Sequence, residues 1–223
     1  MRFAVVAAAA ILLAACGPGP MPEPAQPPAA GLVALPCDGR GALRPVHRTY
    51  CARHRHYVTG TVAAVLREAA ERLNRRHPDA AILYMEASWP RGEKPMPPHV
   101  SHGDGRQIDL ALFYETLDGR PLARPPTASG YGAFEPPRRE SERVCVPDGG
   151  HHDRPDPPAD RTWRLDDERT AELIRSLSAD PRVRRIFVEP HLKQRLGFAA
   201  DPKVRFAGCA VARHDDHLHI DFH

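Results

Sequence analysis

Two short stretches concentrate the side chains that could hold a metal ion. "HVSHGDGRQID", residues 99–109, carries His99, His102, Asp104 and Asp109, with a glycine on each side of Asp104. "HDDHLHID", residues 214–221, carries His214, His217 and His219 with Asp215, Asp216 and Asp221. Imidazole and carboxylate together suit zinc, and three protein ligands leave its fourth tetrahedral position open for water. Such an ion lowers the pKa of its water to roughly 7 and polarises a carbonyl. His102, Asp109 and His219 are the expected ligands. Asp109 stands between Ile108 and Leu110, where a carboxylate is costly to bury unless it is paired or bound to a cation. Gly103 and Gly105 let the loop fold His102 back toward it. In a strand the side chains alternate, so His217, His219 and Asp221 share one face while Leu218, Ile220 and Phe222 share the other. That places His217 beside ligand His219 as the general base. His214, just ahead of the strand, can lean over the same surface to bind an oxyanion or orient the base. His99 is expected to be a further ligand or a substrate contact. No H-E-x-x-H occurs, which excludes a helix-borne glutamate base.

These groups need elements to hold them. Apolar positions 62, 65, 66, 69, 70 and 73 form a helical stripe, with Thr59 or Thr61 as cap and His77-Pro78 as the stop. Residues 81–88 and 107–114 read as strands, as do 185–190 and the closing "DHLHIDF". A second helix is expected over 167–179 and a short one at "HLKQRLGF". Residues 115–161 show no periodicity, which fits a binding loop or a mobile one. Strands and helices mix without a βαβ rhythm. The expected fold class is α+β: a small, mostly antiparallel sheet with flanking helices carrying a zinc site, in a single domain.

The chain has 223 residues, a formal charge of +3 and 26% charged residues, enough length to bury a core. No basic block interleaved with aromatics is present, so nucleic acid is not an expected partner. Residues 4–15 are an unbroken apolar run, too short for a span that needs roughly 20 residues. Residues 1–15 therefore read as a signal peptide. Leu13-Ala14-Ala15-Cys16 is similar to a bacterial lipobox, which implies lipidation of Cys16 and a membrane contact through that lipid alone. Gly17 rather than aspartate follows, which favours the outer membrane; the expected location is the periplasm. Residues 16–36 then read as the lipidated cysteine and a proline-rich tether, and 37–223 as the catalytic domain. Cys37, Cys51, Cys145 and Cys209 remain, an even number in an oxidising compartment. They allow three pairings, of which Cys37 with Cys51 and Cys145 with Cys209 is expected.

"HVSHGDGRQID", "RIFVEPHLKQRL" and "HDDHLHI" together resemble the penicillin-insensitive murein endopeptidases. These belong to the superfamily of lysostaphin-type and D-Ala-D-Ala metallopeptidases and the hedgehog domain. The resemblance implies zinc-dependent cleavage of the D-alanyl–meso-diaminopimelyl cross-links of peptidoglycan. It implies His102, Asp109 and His219 as ligands and His217 and His214 as catalytic partners, and His99 falls on a histidine of the family motif. The family can carry a second, interfacial ion on an Asp-x-x-His segment; Asp148 to His151 is the match here, and a homodimer would go with it. Two departures bear on substrate reach and dimerisation: the chain ends two residues after Asp221, and 115–161 matches poorly. The alternatives are a D-Ala-D-Ala carboxypeptidase acting on stem peptides and a non-catalytic, zinc-bearing module that binds the cell wall.

Overall fold

The last strand of the chain is apolar on alternate residues and lies at the centre of the sheet. The computed structural model describes residues 27–145 and 154–223. Its elements are, in chain order, β1 (Leu32–Ala34), β2 (Leu43–Pro45), α1 (Arg48–Ala52), β3 (Tyr57–Thr59), α2 (Gly60–Arg76), β4 (Ile82–Tyr84), β5 (Gln107–Ala111), β6 (Tyr114–Thr116), β7 (Trp163–Leu165), α3 (Asp167–Ser178), β8 (Val183–Phe187), α4 (Pro190–Arg195), β9 (Val204–Arg205) and β10 (His217–Phe222). Six strands form one sheet in the order β2-β4-β5-β10-β8-β9. The pairs β4–β5, β5–β10 and β10–β8 are antiparallel, and the edge pairs β2–β4 and β8–β9 are parallel. The α+β class is the one expected; the sheet is mixed, with two parallel edge pairs where a mostly antiparallel one was expected.

One face of the sheet is an ordinary core. Ile108 and Leu110 from β5 join Leu218 and Ile220 from β10 beneath Leu66 and Leu73 of α2 and Ile174 and Leu177 of α3. α2 begins at Thr59, whose hydroxyl accepts from Val62 N–H, and ends at His77 with Arg75 and Arg76 in its last turn. Those cations suit the negative end of the helix dipole. α3 starts on Asp166, which caps Arg169 N–H at 3.0 Å. The opposite face carries a smaller apolar group of Val46, Tyr50, Leu83, Met85 and Ala111, and next to it the acid and imidazole side chains of β5 and β10.

Three readings change. Residues 107–114 are not one strand: after Ala111 the Phe113 amide donates to Thr170 Oγ1 at 3.2 Å, and Tyr114 pairs with Leu165 in a separate two-stranded sheet. The tether through residue 36 is corrected at its end, because β1 pairs with β3 and Leu35 is buried. The stretch 115–161 is, where described, a packed strap rather than a free loop. Ala133, Phe134 and Glu135 are buried, Arg195 and Arg161 both hold Glu135, and Asp156 bridges Arg143 and Arg213. No periodic pattern marks such a strap, since ion pairs and single apolar anchors hold it down.

Both expected disulfides form, Cys37–Cys51 and Cys145–Cys209, with Cα separations of 6.1 and 5.5 Å. The second closes a separation of 64 residues and ties the strap to the segment that leads into β10; in the chain-entropy account such a loop contributes about 4 kcal/mol. Residues 1–15, Cys16, Asp148 and His151 lie outside the described residues. Among the described residues no helix is long and apolar enough to cross a membrane.

Ile220, fully buried in the central strand, is the anchor through which the core holds β10. Ile220→Ala should lower unfolding stability by about 2–5 kcal/mol, measured by urea denaturation, whereas Val33→Ala on the exposed part of β1 should change it by less than about 1 kcal/mol. Equal effects would mean that β10 is not held from the helix face.

Candidate metal centre

Strand register brings the two motifs together. Asp109 and His219 are direct partners across the β5–β10 ladder, so their side chains meet on one face, with Asp109 Oδ1 2.8 Å from His219 Nδ1. His102 comes from the loop before β5. Ser88 Oγ accepts from the amides of Gly103 and Gly105 at 3.1 and 2.7 Å, and this fixes the turn. Gly103 has φ +138°, and a Cβ there would stand 2.0 Å from the Glu93 carbonyl oxygen, so only glycine lets the loop pass. The glycines act as expected from the sequence.

His102 Nδ1 lies 2.8 Å from the Ala87 carbonyl oxygen, which can only accept, so Nδ1 carries the proton and Nε2 offers a lone pair. That Nε2 is 3.1 Å from His219 Nδ1 and 3.3 Å from Asp109 Oδ1. The three donor atoms therefore form a triangle with edges of 2.8, 3.1 and 3.3 Å. A tetrahedral ion with bonds of about 2.0–2.1 Å requires donors separated by about 3.3 Å, so the residues fit a small divalent cation. His219 Nε2 is 3.3 Å from Asp221 Oδ1, and Arg185 clasps the other oxygen of Asp221 at 2.5 Å. This is the carboxylate–imidazole support that orients metal-binding histidines. His99 joins at the mouth: its donor atom and those of His102 and Asp109 all lie within 4.8 Å of one another. Burial lowers the His99 pKa to about 4, which keeps it neutral and able to donate a lone pair.

His217 sits beside this group on β10. Its Nδ1 is 2.5 Å from Asp216 Oδ1, and Asp216 Oδ2 accepts from Gly132 N–H at 2.5 Å. Nε2 of His217 is left to exchange a proton. The His214 ring centroid lies 4.8 Å from that of His217 and 6.0 Å from that of His219, and its backbone N–H donates to Glu189 Oε1 at 3.1 Å. Phe187 extends the face, 5.7 Å from His219 between ring centroids. His99, His102, Asp109, His214, His217 and His219 are thus brought into one cluster. Sequence reasoning gave no role to Asp216 or Tyr131, which holds Asp109 Oδ2 at 2.5 Å. The adjacency of Asp216 to a strand histidine was a usable signal; Tyr131, inside the aperiodic strap, offered none.

No family model matches the chain, and no curated protein matches it.

Burial disfavours the charged form of His219, but the carboxylates of Asp109 and Asp221 outweigh it and raise its pKa to about 9. His217 is raised in the same way, with Asp216 outweighing burial. Burial also opposes charge on Asp109, yet the imidazoles around it hold its pKa well below the ordinary carboxylate range. The two histidines thus bind protons more tightly folded than unfolded. Without a cation, the stabilisation each contributes is complete below the ordinary value of 6.5; that of His219 is lost as pH rises through about 9, and that of His217 as pH rises through its own raised value. A cation replaces the His219 proton and should remove that loss. The melting temperature of chelator-treated protein should therefore fall between about pH 6.5 and about pH 9.5, and saturating zinc should flatten the profile. A flat profile without metal would contradict the charge arrangement.

Proposed function

We propose that the protein is a zinc-dependent murein endopeptidase that hydrolyses D-alanyl–meso-diaminopimelyl cross-links of peptidoglycan. The observation that carries this reading is the triangle of His102 Nε2, Asp109 Oδ1 and His219 Nδ1 with an Asp216–His217 pair at its side. A zinc ion held by those three donors would acidify water and polarise the scissile carbonyl.

The residues of the chain supply the rest. His217 Nε2 takes the proton of the attacking water as its oxygen bonds to the carbonyl carbon. The same nitrogen returns that proton to the leaving amine as the C–N bond breaks, acting as base and then as acid. Asp216 fixes the tautomer, because its Oδ1 accepts the Nδ1 proton and favours the imidazolium that forms between the two transfers. His214 faces His217 and donates to the oxygen that becomes anionic. A pure binding module needs the three donors but has no use for an oriented Asp–His pair, which supports catalysis over docking. The motifs that resemble murein endopeptidases support the substrate. The apolar N-terminal run and Leu13-Ala14-Ala15-Cys16 support a periplasmic protein anchored by lipid to the outer membrane.

Digestion of purified cross-linked peptidoglycan, with muropeptides separated and weighed, tests the reading. The expected result is loss of dimeric muropeptides with gain of intact monomers, abolished by chelator and reduced about 10²–10⁴-fold by His217→Ala. Loss of only the terminal D-alanine would instead identify a carboxypeptidase. An unchanged profile from a folded, zinc-loaded protein would leave a wall-binding module.

A further inference from the structure

The strap between β6 and β7 lowers one short segment, Ser129–Gly132, onto the reactive face. Tyr131 Oη donates to Asp109 Oδ2 at 2.5 Å, and its ring stands edge-on to His217 with centroids 4.9 Å apart. The next amide, Gly132 N–H, donates to Asp216 Oδ2, whose other oxygen holds His217. Two consecutive residues thus touch both the carboxylate of the donor triangle and the carboxylate that orients the base. The segment is itself pinned. Tyr50 Oη donates to the Ser129 carbonyl at 2.6 Å and Tyr114 Oη to that of Ala133 at 2.7 Å. Gly130 has φ +90°, and a Cβ there would stand 2.2 Å from Met85 Sδ. The backbone therefore lies against the apolar floor as only glycine permits.

We infer that Tyr131 is a positioning residue that restricts Asp109 to binding a cation through one oxygen, and that its segment sets the ligand and the base as a unit. The phenol occupies Oδ2, so Oδ1 alone is offered beside His102 Nε2 and His219 Nδ1. A carboxylate with both oxygens free can clasp a cation with both and so fill the position that a catalytic site keeps open. Packing of its ring edge against His217 carries the same restraint to the base. This inference rests on the cation-binding reading above.

The test compares cation affinity, by chelator competition with Zn²⁺, and the visible spectrum of the Co²⁺-loaded protein, whose bands are strongest at four-coordination. Tyr131→Phe keeps the ring and deletes only the donor; it should bind Zn²⁺ about 10–100-fold more weakly and show weaker Co²⁺ bands. Tyr84→Phe loses a comparable buried phenol hydrogen bond, to the Pro36 carbonyl at 2.7 Å, but that phenol bonds neither the triangle nor the Ser129–Gly132 segment, and the variant should match the wild type in both. Equal losses in the two variants, or none in Tyr131→Phe, would overturn the inference. In the wild type, Zn²⁺ loading should perturb the near-ultraviolet absorption of a tyrosine. Should Tyr131→Phe not fold, absence of that signal alone overturns the inference. A wild type that binds neither ion would sink the cation reading itself, a result distinct from failure of the clamp.

Discussion

The pairing of Asp109 with His219 across the central ladder is the constraint on which the site depends. Two groups that lose hydration on folding are set directly opposite each other on adjacent strands, at a spacing where side chains must interact. Removing either partner would leave a buried charge uncompensated, which costs far more than the pair gains. Every further contact compensates that burial in turn: Asp221 and Arg185 behind His219, Ala87 behind His102, Tyr131 behind Asp109. The donor triangle is therefore the inner end of a set of paired charges. A divalent cation entering it would displace protons rather than add to an empty balance, so loading and protonation are alternatives for the same nitrogens.

Such a set needs a rigid floor, and the sheet supplies one by dividing its faces. Leu218 and Ile220 commit β10 to the helices, and strict alternation then leaves His217, His219 and Asp221 no other direction to point. A slip of one residue would exchange the two sets and bury the polar trio beneath α2 and α3, so the apolar core enforces the chemistry of the opposite face. The strap closes that face from the other side. It is held by the Cys145–Cys209 bridge and by the Arg143–Asp156–Arg213–Asp215 run of ion pairs. Most of those charges are partly or fully buried, which makes their geometry more restrictive than that of exposed pairs.

Much of this was legible in the residues. Alternation in "HLHIDF" gave both faces of β10, the stripe at 62–73 gave the inner face of α2, and an aspartate between Ile108 and Leu110 pointed to a charged partner before any partner was visible. Three things were not legible. The register that sets Asp109 opposite His219 is a property of two strands about a hundred residues apart, and neither strand carries it alone. The break in 107–114 came from Thr170 capturing the Phe113 amide, a tertiary bond without local signature. The strap carries no period because its anchors are single: a phenol, an amide, an arginine over Phe134. The short strand at Leu32–Ala34 was hidden by the prolines around it, since its pairing with β3 outweighs the composition of its neighbourhood.

The density of charge in "HDDHLHID" also follows from this division of labour. The two adjacent aspartates are not equivalent: Asp215 is clasped by Arg213 through both oxygens, while Asp216 turns to His217 and Gly132. Asp215 thus fixes the approach to the strand through the strap, and Asp216 fixes the proton on the imidazole. His214 spends its amide on Glu189 and presents its ring to His217. His219 and Asp221 repeat the carboxylate–imidazole contact one step along the same face. Asp215, Asp216, His217, His219 and Asp221 each have a charged partner, so an exchange among them would leave a buried charge unpaired. Burial, not solubility, accounts for so many acids and imidazoles in so few residues: a reactive face this dry is stable only when every charge on it is answered.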